Sequence, residues 1–140
     1  MDSRTGERVR GGTSKFFEGL ISDLVGYAEA EFRLSDDQPN GGTLREHLQV
    51  AEDQTGETIA ELHPDPPPRE LTYLWTIFAE LHSGRGNNGF GPLPLSYSEI
   101  DAWSRLTAQP LRPWEVAAIK RIDTAYIGHA ATKSKEQSKR

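Results

Sequence analysis

There is no cysteine among the 140 residues. Disulfides, iron–sulfur clusters and thiol catalysis are therefore excluded, and the absence fits a reducing compartment. No apolar run approaches the roughly 20 residues that a membrane span needs. The opening MDSRTGERVRGG lacks the apolar core of a secretory signal. Basic charge is in deficit, with 16 Lys and Arg against 21 Asp and Glu and a net charge of −5. A general attraction to nucleic acid is not expected of such a chain. Histidines and acids do not fall at metal-ligand spacing. There is no P-loop, no GxGxxG leading into a helix, and no serine in a nucleophile elbow. The sequence thus predicts neither a cofactor nor an enzyme. Hydrophobic residues make up 35%, slightly below the usual share even with glycine counted. One small domain with a modest core is the expectation.

What the chain does contain is helical punctuation. Residues 1–13 are polar, with Arg4, Arg8, Arg10 and the pair Gly11–Gly12, and read as a flexible arm. Residues 14–42 read as a helix followed by a linker. Phe17, Leu20, Ile21, Leu24 and Ala28 recur at helical spacing over 14–32. Gly19 and Gly26 weaken that helix by about 1 kcal/mol each. It therefore needs a surface to pack on, in its own domain or on another chain. Asp36–Asp37 and Pro39-Asn40-Gly41-Gly42 then signal a turn, and this is the best candidate boundary.

The expected helical domain runs from 43 to 131. Thr43 and Glu46 have capping-box spacing, with Leu44, Leu48 and Ala51 on the buried face, His47 beside it and Gly56 as the stop. Three prolines, 66–68, make a stiff spacer. Arg69 to His82 carries Leu71, Leu74, Trp75, Phe78 and Leu81 on one stripe, the strongest helical period in the chain. The loop GRGNNGFGPLP follows, with four glycines from Gly84 to Gly91. Arg85 and Phe90 are its residues with strong binding chemistry. Ser96 and Glu99 repeat the capping box, and Leu95 with Ile100 can form a hydrophobic staple. Ile100, Trp103 and Leu106 or Thr107 are expected to face inward. Pro113 stands at the favoured first position of a last helix. Trp114, Ala118, Ile122 and Tyr126 mark its inner face, and Gly128 its expected stop. Asp123 stands alone at the margin of that stripe. The tail TKSKEQSKR, 132–140, is too polar to fold by itself. The fold class expected is all-α: a bundle of four or five short helices with a long glycine-rich loop and disordered termini.

Leu71 to Leu81, Pro94 to Trp103, Leu111 to Glu115 and Ile119 to Tyr126, in that order and spacing, resemble the tail assembly chaperones of long-tailed bacteriophages and gene transfer agents. TLREHLQVAEDQTG is similar to the front of such proteins, so the resemblance spans about 43–127. It implies a non-enzymatic role in the bacterial host cytoplasm. Such proteins hold the tape measure protein, recruit the major tail protein and are absent from the finished tail of siphophages. Self-association is left open, and nucleic acid and membrane are not expected partners. Two other classes stay open: a virion structural or head–tail joining protein, and a DNA-binding packaging or regulatory protein. Three tryptophans between Trp75 and Trp114 are more aromatic surface than so small a core readily buries. Trp75, Phe78, Phe90 and Trp103 are the expected partner-binding residues, forming a groove for a helix; the rival reading is that all these rings are core.

Overall fold

The computed structural model describes residues 3–138, with side chains from Lys15 to Gln137. Met1, Asp2, Lys139 and Arg140, the extremes of the expected arm and tail, lie outside the described residues. The described residues form five α-helices: α1 (Ser3–Leu34), α2 (Leu44–Thr55), α3 (Thr72–Ser83), α4 (Tyr97–Leu106) and α5 (Pro113–Ser138). Among the described residues there is no strand, only isolated bridges at Asp37–Thr43 and Asn87–Pro92. The all-α expectation holds, and two of the helices are long. α1 takes in most of the stretch read as an arm, and α5 takes in most of the tail.

Ring and polar contacts fix the topology. Phe17 meets Trp114, whereas Phe32 meets Tyr126 and His129, so α1 and α5 run parallel. The Tyr73 hydroxyl donates to the Glu115 carboxylate, while His82 packs on Tyr126, so α3 is parallel to both. α2 with the proline spacer, and the loop with α4, are the return connections. The C-terminal ends of α1 and α3 therefore lie at one end of the bundle, beside the second half of α5.

Apolar stripes on these three helices make a single core. Leu24 and Ala28 of α1, Leu74 and Phe78 of α3, and Ile119 and Ile122 of α5 are at most 1% exposed. The unstable α1 thus finds its partner surface at home. Residues 33–42 do not divide the core, which includes α1 on one side and α3 to α5 on the other. They form a compact turn, with Gln38 N–H donating to Gly42 at 2.8 Å and Leu44 N–H donating to Asp36 at 2.9 Å.

Local signals explain most helix starts. Both capping boxes close. Glu46 N–H donates to the Thr43 hydroxyl and Thr43 N–H to the Glu46 carboxylate. Ser96 and Glu99 do the same. The backbone N–H of Thr43 holds the Glu46 carboxyl below its usual range. Leu95 and Ile100, both buried, form the staple ahead of α4.

Three expectations need correction. Leu44, Leu48 and Ala51 are half-buried, and α2 has no fully buried residue. It lies on the bundle rather than in it. Leu106 does not face inward but is 84% exposed. The α4 helix ends there in a Schellman turn, with Ala108 at a φ of +56° and Gln109 N–H donating to Ser104. Leu106 is still helical, and six residues after Ile100 it points about 120° away from the inward face. Gly128 does not stop α5. Its neighbours Tyr126, Ile127, His129 and Ala130 are half-buried, and this packing outweighs the roughly 1 kcal/mol that glycine costs inside a helix.

Candidate functional site

The glycine-rich loop is built around two charges. Arg85 leaves the end of α3, and its Nη2 lies 2.6 Å from Asp123 Oδ1 on α5. Their side chains are only 5% and 3% exposed, and these two atoms have only each other. The remaining donors and acceptors find neutral partners. Arg85 Nη1 donates to the Leu93 carbonyl at 2.8 Å, and its Nε donates to His82 Nδ1 at 3.0 Å. Leu95 N–H donates to Asp123 Oδ2 at 2.9 Å. Lys120 donates to the Leu95 carbonyl at 2.6 Å. The guanidinium also sits 4.5 Å from the Tyr126 ring centroid. Both ends of the loop are thus fastened to α5. Asp123, expected to stand alone, is the anchor of the whole connection.

Between those anchors the loop tip is held by its own turns. Gly89 N–H donates to the Asn87 side chain at 2.7 Å, and Phe90 N–H donates to the Asn88 side chain at 2.9 Å. Gly89 has a φ of +90°, which needs glycine. The outcome is Phe90 at 93% exposure on a short, hydrogen-bonded tip. An apolar ring so exposed gains nothing from the fold of its own chain.

Phe90 stands on the lip of an open groove of about 880 Å³. The groove lies at the C-terminal ends of α1 and α3, against α5. Phe32, Trp75, Phe78 and Tyr126 supply its aromatic wall. Trp75 stacks on Phe78 at 5.7 Å, and Phe32 meets Tyr126 edge-on at 5.2 Å. Glu31, Asp36 and Asp37 stand at the α1 side, and His129 and Lys133 at the α5 side. His129 Nε2 lies 2.8 Å from Asp36, which ties the two sides together.

Of the four residues expected to meet a partner, Trp75, Phe78 and Phe90 line this groove. Trp103 does not line it. Its indole N–H donates to Glu80 at 2.9 Å, outside the groove. Phe78 is 1% exposed and belongs to the core as much as to the groove floor. Sequence reasoning placed Phe32 and Tyr126 on packing faces rather than in a groove, and it missed the Arg85–Asp123 pair. A signal for the last was available: a carboxylate one position after Ile122, at the margin of an apolar stripe, needs a cation once it is buried.

His82 also lines the groove, stacked on Phe78 at 5.4 Å. Burial, and then the charge of Arg85, hold its pKa below the ordinary value, with Asp123 opposing. The unfolded chain takes up this proton near pH ~6.5, where the folded ring has not. Below that pH the unfolded state binds more protons, so stability falls as pH falls. Between about pH 7.5 and 5.5, His82→Gln should flatten the loss of stability measured by urea denaturation. Parallel curves for the two proteins would contradict this.

Residues 51–128 match the family described as phage tail assembly chaperone. The chain belongs to that family. No curated protein and no solved structure matches it. The match begins inside α2 and covers α3, the loop, α4 and α5 as far as Gly128. In this tail assembly chaperone it therefore includes Trp75, Phe78, Phe90 and Tyr126, but not Phe32. Among the described residues no helix is long and apolar enough to cross a membrane, and no three or more His, Cys, Asp or Glu side chains are grouped so as to hold a metal ion.

Proposed function

We propose that this chaperone holds the tape measure protein through the groove beside Phe90 and brings the major tail protein to it in the host cytoplasm. It would leave before the tail matures. The observation that carries the reading is Phe90 itself, an aromatic side chain exposed on a hydrogen-bonded tip at the edge of an aromatic groove. A long helical protein exposes apolar stripes before it is assembled, and a groove of this kind covers such a stripe reversibly. Among the described residues the chaperone offers no strand edge, so an amphipathic helix suits it better than an extended peptide.

Phe90→Ala should weaken capture of the tape measure protein about tenfold or more, as loss of an exposed aromatic anchor does. It should change folding stability by less than ~1 kcal/mol. Co-purification from cells expressing both proteins, with urea denaturation of the chaperone alone, reads both quantities. Normal capture by Phe90→Ala, or its unfolding, would remove the groove from this role.

A further inference from the structure

The groove carries charge information as well as apolar surface. Glu31, Asp36 and Asp37 stand on its α1 side. Glu31 is paired with Arg45 at 2.7 Å, and Asp36 with His129 and, at 3.9 Å, Lys133. Asp37 is exposed, and among the described residues its carboxylate takes part in no ion pair, while Lys133 Nζ donates to its carbonyl at 3.4 Å. The C-terminal ends of α1 and α3 point to the same place, and each carries a partial negative charge of about half a unit. The groove lining is therefore acidic, with three carboxylates against the one ammonium of Lys133.

The wall below that rim is aromatic, and aromatic faces attract cations. The chaperone already uses its own wall in that way, with the Arg85 guanidinium 4.5 Å from the Tyr126 ring and 6.0 Å from the Phe78 ring. Trp75 and Phe32 line the same groove. A purely apolar helix would leave Asp37 and the helix ends facing uncharged surface.

The geometry points to a specific occupant: an amphipathic helix of the partner whose apolar stripe is flanked by arginine or lysine. The stripe packs between Trp75, Phe32 and Phe90, and the flanking cations meet Asp37 and the ends of α1 and α3. This rests on the groove being the partner site. It adds that the site discriminates by charge, rejecting helices of equal apolarity with acidic flanks.

Two synthetic helical peptides test it, with the same leucine stripe and either Arg/Lys or Glu/Asp flanks, titrated calorimetrically into the full chain. The basic-flanked peptide should bind at least about tenfold tighter. Asp37→Lys should reduce that preference severalfold, and Asp37→Asn should reduce it less. Glu57→Lys makes the same change in net charge just after α2, outside the groove lining, and should leave the preference intact. Phe90→Ala should weaken the basic-flanked peptide.

Equal binding of the two peptides, with both sensitive to Phe90→Ala, would overturn the charge selection and leave the groove reading standing. Binding insensitive to Phe90→Ala would overturn the groove reading itself. If Glu57→Lys acts as strongly as Asp37→Lys, the preference is a property of the whole acidic protein, and the proposal fails. Self-association of the chaperone alone that Phe90→Ala abolishes would give the groove to a second copy and overturn the proposal.

Discussion

Asp123→Ala is expected to destabilise the chaperone by about 3–5 kcal/mol, as removal of one partner from a buried ion pair does. The change leaves the Arg85 guanidinium, 5% exposed, without its counter-charge. It also removes the acceptor of the Leu95 N–H. A domain of this size is stable by about 5–15 kcal/mol in all, so the loss is a large part of the total. Arg85→Ala should cost a similar amount, and the double variant much less than the sum, because either change alone strands the other charge. Urea midpoints of the four proteins decide the matter. Additive losses, or a loss below ~1 kcal/mol for Asp123→Ala, would mean that the pair does not hold the loop.

Phe78→Ala should cost about 3–5 kcal/mol, the range for truncating a large buried aromatic residue. The ring is 1% exposed and packs on Trp75, Phe32 and His82. Its removal opens a cavity beneath the groove wall, which α1, α3 and α5 share and cannot all close over. Loss of partner capture by Phe78→Ala would therefore report unfolding as much as docking. The contrast with Phe90 is the informative one, since the two rings line the same groove and only one of them is needed for the fold. A Phe78→Ala protein as stable as the parent would contradict this packing.

The contrast also shows where sequence was a good guide. Helix starts were legible because they depend on neighbours three residues apart, and both capping boxes close as Thr43–Glu46 and Ser96–Glu99 imply. The core stripes were legible for the same local reason: Leu74, Phe78, Ala118 and Ile122 repeat at helical spacing and are buried. Helix ends were harder to read. Gly128 carries a local stop signal, but its half-buried neighbours override it. The groove was only partly legible. Trp75, Phe78 and Phe90 are within 16 positions of one another in sequence, whereas Phe32 and Tyr126 reach the groove only because α1 and α5 run parallel to α3. Nothing local sets that arrangement. Trp103 looked equivalent to Trp75 by composition, and its bond to Glu80 takes it elsewhere. Asp123 was readable as an anomaly, but its partner Arg85 lies 38 positions earlier in a loop.

Photo-crosslinking from defined positions locates the face of the chaperone that meets the tape measure protein. A photoreactive phenylalanine analogue at position 90 replaces a ring already 93% exposed, so the fold is undisturbed. The same analogue at position 106 provides the comparison, because Leu106 is 84% exposed on α4 and does not line the groove. With the tape measure protein present, position 90 should give an adduct that maps to an amphipathic helix of that protein, and position 106 should give none. An adduct from position 106 with none from position 90 would place the partner on another face and contradict the account.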